Sequence, residues 1–441
     1  MVALDVLGDV HQRDAYATLA LGDRLNRNTA LQPRDKRLVT ELVYGTLENR
    51  IRLDYMLDHY LERAELEPVV RDILRLGAYQ LFFLDRVPGS AAVDESVKLT
   101  RAKQREPFTG LVNAVLRTMI REPERVTYPD FAQEPARSIS LTHSLPLWLA
   151  ERLIAAYGPE TTQDIAGYRP ETPFVTVRRT AEHITAEAFE AYLNRRHLAF
   201  SPGMAPGAYR IERPGDLTEE PEYKQGLFSI QGESSMLAAL AVGVQPGWAV
   251  LDACAAPGGK TALLAETLRG SGRVHAWDVH AHRVELLRSM AKRLRLDNVR
   301  PALRDATVLR EDLIGTMDAV LLDAPCTGTG VVLDKPDIKY RQTPESIVEL
   351  TELQGKLLET CARYVRPGGV LVYSTCSILP EENAAQVASF LEKHPEFVPQ
   401  GLAETMPEAL RTRVVDSQVQ LLPHRDDAEG FFIARMVRCD G

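Results

Sequence analysis

The chain has 441 residues, of which 45% are hydrophobic and 26% are charged, and this balance excludes a disordered, collagen-like or disulfide-stapled protein. It carries 52 basic and 61 acidic residues, a formal net charge of −9, so any nucleic-acid site must be a local basic patch. Five cysteines without a Cys-x-x-Cys pair argue against a disulfide framework and a thiolate zinc site. We therefore expect no metal and a reducing, cytoplasmic location.

The sequence predicts neither a signal peptide nor a membrane span. The first 14 residues carry acidic residues before any basic one and contain no apolar core, unlike a secretory signal. The longest apolar stretch, residues 236–256, is interrupted by Gln-Pro-Gly at 245–247 and by Asp252. No uninterrupted run reaches the roughly 20 apolar residues that a membrane helix needs.

Residues 1–140 are predicted to form helices. Apolar residues recur there at the three- and four-residue spacing of a buried helix face, in three sets: Leu38, Leu42, Val43 and Leu47; Ile73, Leu74, Leu76, Leu81 and Leu84; Val112, Val115, Leu116 and Met119. This region is nearly neutral, and its basic residues cluster at positions 34–37 and 98–105. The clusters are either solvated helix ends or a face that contacts phosphate groups, and both interpretations stay open.

The remainder of the chain divides into two further parts. Residues 141–245 combine helices at 146–157 and 186–196 with a strand at 174–178 and Gly/Pro-rich turns at 201–207, which indicates a small mixed α/β module. From residue 246 onward, apolar strands alternate with helices, and this alternation is typical of a parallel sheet covered on both faces. The predicted strands are 248–253, 273–279, 318–323, 369–374 and 430–437, with a helix at 260–268.

Small residues follow the first of these strands and lead into a helix, in the order Cys254, Ala255, Ala256, Pro257, Gly258, Gly259 and Lys260. Small residues let a ligand approach the backbone, and the start of a helix supplies free N–H groups. A phosphate-binding P-loop needs glycine at position 254, and a dinucleotide site needs Gly-x-Gly-x-x-Gly, so neither pattern fits. A nucleoside-type cofactor such as S-adenosyl-L-methionine needs no pyrophosphate cradle.

Acidic residues follow three successive predicted strands, at Asp252, Asp278 and Asp305. Asp278 lies 20 residues after Gly258, where a carboxylate accepts hydrogen bonds from ribose hydroxyls, and Asp305 is placed to bind the adenine amino group. Each acid alone is more typical of a helix cap or a surface charge. The three in register favour a cofactor site.

Two cysteines, Cys326 and Cys376, each follow an apolar strand and thus lie at the sheet edge where ligands bind. Cysteine is often a plain core residue, and this interpretation suits Cys361. The small polar neighbours of Cys326 and Cys376 favour a functional role instead.

A thiol beside a methyl donor suits methylation at carbon 5 of cytosine, which is a poor nucleophile. A thiolate that adds to C6 turns C5 into an enamine carbon able to attack the sulfonium methyl, and a base then removes the C5 proton so that the thiol can leave. The surroundings must activate the thiol. Asp323 is placed to hydrogen-bond N3 of the ring and stabilise the adduct.

The runs at residues 252–261, 323–330 and 374–377 resemble those of the RNA cytosine-C5 methyltransferases, and the runs at 75–81, 91–95 and 110–117 resemble the NusB-like RNA-binding domain. Their fusion is typical of the bacterial RsmB type (also called Sun or Fmu) of 16S ribosomal RNA methyltransferases. The resemblance covers nearly the whole chain. It implies an all-α NusB-like domain at 1–140, a small α/β module at 141–245, and a Rossmann-like class I methyltransferase domain at 246–441 with a mostly parallel seven-stranded sheet.

The resemblance also implies roles for individual residues. Cys376 is the implied nucleophile and Cys326 assists product release, while residues 254–260, Asp278, Asp305 and Asp323 line the S-adenosyl-L-methionine site. The implied partner is 16S ribosomal RNA or a small-subunit assembly intermediate, and nothing indicates an obligate protein partner. One departure is at residues 231–235; another is at 333–337, where relatives often carry a basic pair and an acid at position 334 would repel phosphate.

Two other functions compete with this interpretation. The chain could be a non-catalytic RNA-binding or ribosome assembly factor with a vestigial methyltransferase fold, but the intact cysteine pair and cofactor loop argue against it. DNA cytosine methylation is the third alternative. The DNA enzymes place their nucleophile on the Pro-Cys motif and lack a Thr-Cys motif such as the one at 375–376.

Overall fold

The computed structural model describes residues 1–62 and 65–439, which form two compact units. The first unit is Met1–Gly167 together with Val332–Gln342, and the second is Tyr168–Val331 together with Thr343–Gly441. The boundaries 1–140, 141–245 and 246–441 stay predictions. Among the described residues, no helix has the length and apolar character needed to cross a bilayer.

The first unit is helical over residues 1–62 and 65–167, which confirms the all-α fold predicted for residues 1–140. Its helices are α1 (Val2–Arg13), α2 (Ala17–Arg27), α3 (Pro33–Glu48), α4 (Arg50–Asp58), α5 (Pro68–Phe83), α6 (Gly89–Ala102), α7 (Thr109–Arg121), α8 (Pro135–His143), α9 (Leu147–Tyr157) and α10 (Pro159–Gly167). Helix α5 is central, because it packs against α1, α3, α4, α6 and α7. Most of the predicted apolar positions face this core, but Leu38 is 46% exposed, so the predicted face of α3 begins later, at Leu42.

Close packing between α3 and α5 depends on a glycine. A Cβ atom on Gly45 would lie 2.0 Å from the ring of Tyr79, a distance that no side chain tolerates. The ring therefore lies directly against the α3 backbone, and its hydroxyl donates a hydrogen bond of 2.7 Å to Glu41. This contact fixes the two helices against each other.

The segment Val332–Gln342 completes the helical unit, although 164 residues of chain separate it from α10. Asp337 accepts the N–H of the first residue of α2 (3.2 Å), and the Lys339 ammonium donates to the last carbonyl of α3 (2.8 Å). Arg341 donates to the two carbonyl oxygens that follow α1 (3.0 and 2.5 Å). A negative side chain thus lies at a helix N-terminus, and two positive side chains lie at helix C-termini. The unpaired peptide groups and the helix dipole favour these charges at these ends.

In the second unit, a small antiparallel sheet comes first along the chain. Its elements are β1 (Phe174–Arg179), α11 (Ala186–Arg195), β2 (Phe200–Pro202), β3 (Ala208–Glu212), α12 (Pro221–Lys224) and β4 (Phe228–Ile230), with strand order β2-β3-β1-β4. Phe189, Tyr192 and Phe228 form an aromatic core beneath it. The strand and helix predicted at 174–178 and 186–196 are confirmed, and β2 occupies part of the predicted turn region.

A large mixed sheet follows. Its elements are α13 (Glu233–Leu240), β5 (Ala249–Asp252), α14 (Gly259–Thr267), β6 (Arg273–Asp278), α15 (Ala281–Leu294), β7 (Val299–Leu303), β8 (Met317–Asp323), α16 (Pro344–Tyr364), β9 (Val365–Thr375), α17 (Ala384–Lys393), β10 (Phe397–Pro399), α18 (Leu402–Thr405), α19 (Glu408–Arg411), β11 (Gln418–Leu421), α20 (Pro423–Asp426) and β12 (Phe431–Arg438). Seven strands follow the order β10-β12-β9-β8-β5-β6-β7, and β11 is an eighth that pairs beside β12.

The predicted Rossmann-like sheet is confirmed, and its topology creates one functional edge. Strands β7, β6, β5, β8 and β9 are parallel, whereas β12 is antiparallel to β9. The central strands are buried on both faces; positions 319–322 of β8 have no exposed surface. Because the parallel strands all end on the same side, the residues that follow β5, β6, β8 and β9 are brought together there.

A buried arginine joins the small sheet to the large one within the second unit. Arg178 of β1 is 1% exposed, and its guanidinium pairs with Glu266 of α14, with one nitrogen–oxygen distance of 3.0 Å. The same side chain donates to Gln231 at 2.8 Å. A buried pair of this kind is strongly directional, so it sets how the small sheet packs on α14.

Replacement of Lys339 by alanine is expected to lower the free energy of unfolding by about 1–3 kcal/mol, because it leaves the last carbonyl of α3 without its charged donor. Lys339 is 4% exposed. Urea unfolding followed by circular dichroism measures the change. The matched control is Lys335→Ala, an exposed lysine of the same segment, which should shift stability by less than about 0.5 kcal/mol. Equal effects of the two substitutions would show that Lys339 does not stabilise the helix end.

Candidate active site

Cys326 and Cys376 lie side by side after the adjacent parallel strands β8 and β9. Their Sγ atoms are 3.3 Å apart, within hydrogen-bonding distance for two thiols. None of the five cysteines, all of which the structure describes, forms a disulfide. Cys361 is fully buried in the core on α16, and Cys439 is exposed near the end of the chain. The structure therefore brings together the two cysteines that the sequence singles out and keeps those two others apart from them.

The surroundings of Cys326 favour the protonated form of its thiol. Its hydrogen bond with Cys376 and its burial raise the pKa of the Cys326 thiol well above the usual range, and the negative charge of Glu382 acts in the same direction. Cys326 is therefore a thiol at neutral pH. In the contact between the two sulfur atoms, the S–H of Cys326 can donate and the sulfur of Cys376 can accept.

Asp323 links the cofactor loop to the Cys376 strand. Its Oδ2 accepts a hydrogen bond from the Lys260 ammonium at 2.7 Å, and its Oδ1 accepts one from the Ser374 hydroxyl at 2.8 Å. Burial alone would lower the pKa of Lys260, but the charges of Asp323, Asp252 and Cys376 outweigh it and raise that pKa. A lysine ammonium therefore lies at the strand ends. The contact of Asp323 with N3 of a cytosine stays a prediction, and it requires a proton between the two groups, because an ionised carboxylate and N3 are both acceptors.

The loop at 254–260 lies between the end of β5 and the start of α14. Gly258 has φ of 111°, a backbone conformation that favours glycine because side chains rarely adopt it. The N–H of Ala255 donates to the carbonyl of Trp277 at 2.8 Å, which ties the loop to β6. Burial raises the pKa of the Cys254 thiol, so this cysteine is chemically quiet.

Asp252, directly before the loop, is fully buried. Its Oδ2 accepts a hydrogen bond of 2.6 Å from Thr261, whereas its Oδ1 has no hydrogen-bond partner among the described residues. Burial, together with the nearby Asp323 and Asp278, raises the pKa of Asp252 to about 7. A buried carboxylate oxygen left without a partner is uncommon in a folded protein, and this one lies at the sheet edge.

The other two predicted cofactor residues differ in their surroundings. Asp278 ends β6, is 6% exposed, and uses Oδ1 to accept the N–H of His280 at 2.9 Å. Asp305 lies two residues after β7 and is exposed. One of its oxygen atoms accepts both the N–H and the hydroxyl of Thr307, at 2.9 and 2.6 Å. The structure thus places Asp278 inside the strand-end edge and Asp305 at its rim, where the side chain caps its own turn.

One charged residue at this edge, Glu382, was not predicted from the sequence. It has no exposed surface and its carboxylate contacts the loops that carry both cysteines. The signal available in the sequence was the run Glu-Glu-Asn at 381–383, which begins five residues after Cys376. Over residues 1–62 and 65–439, no cluster of three or more His, Cys, Asp or Glu side chains has the arrangement of a metal site.

The two units match two different protein families. A sequence profile of the 16S rRNA methyltransferase RsmB/F family matches residues 239–437, and a profile of the NusB family matches residues 1–121. A Bacillus subtilis protein named probable ribosomal RNA small subunit methyltransferase B is 36% identical over 450 aligned residues, which cover 99% of this chain and 97% of the relative. A Synechocystis protein of the same name is 33% identical, with coverage of 99% and 98%.

Solved structures share the fold. The crystal structure of PH0851 aligns with a TM-score of 0.81 at 25% identity and covers 99% of this chain and 97% of its own. A methyltransferase homolog protein from Pyrococcus horikoshii aligns with a TM-score of 0.58 at 30% identity, over 69% of this chain and 98% of its own. With relatives that share a third of its residues along its full length and a helical unit that matches the NusB family, the chain belongs to the ribosomal RNA small subunit methyltransferase B family.

Proposed function

We propose that this protein transfers a methyl group from S-adenosyl-L-methionine to carbon 5 of a cytosine in 16S ribosomal RNA, through a covalent bond between Cys376 and C6 of the base. The observation that carries the proposal is the pair of sulfur atoms 3.3 Å apart, at the strand ends that also bear the cofactor loop. The names of the relatives support ribosomal RNA as the substrate. Such a substrate places the reaction in the cytoplasm.

The residues at the sheet edge fit the proposed cofactor. The free Oδ1 of Asp252 offers a buried acceptor for a charged amino group. The small residues at 254–259 leave room for close approach to the backbone, and the carboxylate of Asp278 suits ribose hydroxyls. When bound, S-adenosyl-L-methionine supplies an electrophilic methyl group. In this proposal Asp305 contacts the adenine at the rim, after release of its own turn.

Cys376 is the nucleophile in this proposal because Lys260 and Cys326 both favour a thiolate at its sulfur. The pKa of Lys260 rises partly through a negative Cys376 sulfur, and by reciprocity the ammonium stabilises that sulfur as a thiolate. The protonated Cys326 can donate a hydrogen bond to the same atom. A thiolate that receives both interactions can add to C6, whereas Cys326 remains a proton carrier.

The proposed reaction forms and then breaks one covalent bond between Cys376 and the base. The Cys376 sulfur uses an electron pair to bond C6, and the C5–C6 double-bond pair becomes available at C5 for the new bond to the methyl carbon. The bond between that methyl carbon and the sulfonium sulfur would break, and its electron pair would stay on the sulfonium sulfur, which becomes a neutral thioether. A base then removes the proton on C5, and the released C–H pair restores the double bond. The C6–S bond breaks and its pair returns to the Cys376 sulfur. Cys326 lies close enough to Cys376 to give its proton to that sulfur as it leaves C6.

We assign RNA binding to the helical unit. Among the basic residues of the two clusters, Lys98 is paired with Glu95, Lys103 with Asp5 and Arg105 with Glu67, at 2.5–2.7 Å. Arg34 has a longer contact of 3.6 Å with its neighbour Asp35, and its side chain is 88% exposed. Arg34 and Arg37 are exposed on α3, which makes the cluster at 34–37 the better candidate for phosphate contact. A target cytosine must also leave its base stack to reach Cys376, so we expect it in a loop or flipped out.

Asp278→Ala is expected to weaken S-adenosyl-L-methionine binding by about 1.5–3 kcal/mol, the value of hydrogen bonds to a charged group. That corresponds to an increase in Kd of about 10- to 150-fold. Isothermal titration calorimetry on the purified protein measures it directly. Asp297→Ala removes an exposed acid that follows α15 and should leave Kd unchanged. If both variants bind the cofactor like the unmodified protein, the site assignment is wrong.

The two cysteine variants should differ in kind. Cys376→Ala should abolish methylation of unmodified 16S ribosomal RNA and form no covalent complex, because nothing adds to C6. Cys326→Ala should still attack but stall before release, so that a protein–RNA complex survives denaturing electrophoresis. Cys361→Ala, a change in the core away from the site, is the control for folding and thiol number. A stable complex with Cys376→Ala and none with Cys326→Ala would reverse the two roles; normal turnover by both would exclude the covalent mechanism.

Replacement of both Arg34 and Arg37 by glutamate in the full chain should lower the affinity for RNA. It should also make that affinity less dependent on the salt concentration. Loss of two phosphate contacts lowers the slope of log K against log salt by about 1.4–1.8. Fluorescence anisotropy over a salt series gives the slope. The control reverses Arg121 and Arg125, which both pair with Glu122, and thus changes the net charge equally. The same slope change in both variants would mean that RNA senses only the overall charge.

A further inference from the structure

Glu382 is a charged group that the proposed chemistry does not use, yet four hydrogen-bond donors converge on it. Its Oε1 accepts the backbone N–H of Thr327 at 2.9 Å and the side-chain amide of Gln354 at 3.0 Å. Its Oε2 accepts the hydroxyl groups of Thr327 and Ser377, each at 2.5 Å. All four donors are neutral. The carboxylate has no exposed surface.

These donors belong to the residues that follow the two cysteines. Thr327 comes directly after Cys326, and Ser377 comes directly after Cys376. Because a single oxygen atom, Oε2, accepts from both hydroxyl groups, it holds the two cysteine loops at a fixed spacing. The sulfur atoms that lie one residue earlier are 3.3 Å apart.

The residues that precede the cysteines are held by the same group of side chains. Gln354, which donates to Glu382, also donates to the carbonyl of Pro325 at 3.0 Å. Asn383, the next residue in the chain, accepts the hydroxyl of Thr375 at 2.5 Å and donates to the carbonyl of Ser377 at 2.9 Å. Each cysteine is thus bracketed on both sides by residues that Glu382 and its two polar neighbours hold.

Packing alone does not account for an acid at this position. Burial of a carboxylate is unfavourable unless its oxygen atoms are well hydrogen-bonded, and apolar side chains of similar size often replace buried charges without loss of stability. The backbone of Glu382 is fixed independently, because its carbonyl accepts the hydroxyl of Tyr373 at 2.6 Å. The acceptor geometry of the side chain, rather than its volume, is therefore the feature to be explained.

We propose that Glu382 is a positioning residue that sets the spacing of Cys326 and Cys376. The purpose of that spacing rests on the proposed function. The sulfur that adds to C6 must be released after C5 loses its proton, so the thiol that protonates this sulfur on its departure must stay beside it throughout the reaction. The negative charge of Glu382 additionally helps Cys326 retain its proton.

The spacing is measurable without methyl transfer. Diamide oxidises two adjacent thiols to a disulfide and takes up their two electrons and two protons. In the full-length protein we expect rapid formation of a disulfide between Cys326 and Cys376, identified by peptide mass spectrometry. Glu382→Gln places an amide N–H₂ where two donors now point, so the disulfide should form at least about tenfold more slowly.

The same variant should lose turnover but not binding. A misplacement of reacting groups by about 1 Å can cost about 100-fold in rate, so we expect kcat to fall by about that factor while KM for ribosomal RNA changes less than about twofold. The Kd for S-adenosyl-L-methionine, measured by calorimetry, should stay the same. Glu381→Gln makes the identical chemical change one residue earlier and should behave like the unmodified protein in all these measurements.

Two variants of Thr327 test the positioning role of Glu382 if Glu382→Gln fails to fold. Thr327→Val keeps the shape of the side chain but removes the hydroxyl that Glu382 accepts, and it should slow both disulfide formation and kcat. Thr327→Ser keeps the hydroxyl and should restore both. Disulfide rates and kcat that remain normal in Glu382→Gln, or in Thr327→Val, would overturn the proposal.

The two proposals fail in different ways. If the unmodified protein does not methylate unmodified 16S ribosomal RNA, the proposed function is wrong, and the diamide rates still decide whether Glu382 sets the spacing. If methylation proceeds and the diamide rates of Glu382→Gln and the unmodified protein agree, the function stands and the positioning role is refuted.

Discussion

The parallel pairing of β8 with β9 is the constraint on which the site depends. In this register Asp323 lies opposite Ser374, and the two side chains are hydrogen-bonded. Cys326 follows the first by three residues and Cys376 follows the second by two, so the pairing brings both sulfur atoms to one edge. A shift of one residue would turn alternate side chains to the opposite face of the sheet. Strand β8 is buried on both faces, and this burial makes such a shift costly.

The same edge concentrates buried charge, and each charge is balanced in its own way. Lys260 is paired with Asp323, and Glu382 is surrounded by neutral donors. Asp252 has one satisfied oxygen and one without a partner among the described residues. Structural charges are normally fully paired. The exception at Asp252 therefore marks the place where a ligand has most to contribute, whereas Glu382 has the saturated environment of a group that organises the backbone around it.

The sequence was sufficient for the sheet and for the residues at its strand ends, but not for contacts between distant segments. Apolar runs identify buried strands, and in a parallel sheet the ends of those strands necessarily meet, which is why Asp278, Asp323 and both cysteines could be placed near each other. The role of Glu382 depends on hydrogen bonds to Thr327, 55 residues away. Local periodicity carries no information on such a partner. The turn formed by Asp305 and the exposure of Leu38 are likewise decided by tertiary surroundings.

The charged residues of the segment 332–342 also make contacts with distant residues that the sequence does not predict. From the sequence, the run at 333–337 stood out because relatives often carry a basic pair there and the acid at position 334 would repel phosphate. The structure engages Asp337, Lys339 and Arg341 with the ends of helices in the first unit, and Asp337 and Lys339 are almost completely buried. A charge that is neutralised by a helix end contributes little to the field that RNA meets. The acid at position 337 therefore serves the architecture of the helical unit, and in the proposed function the attraction of RNA is assigned to exposed bases such as Arg34 and Arg37.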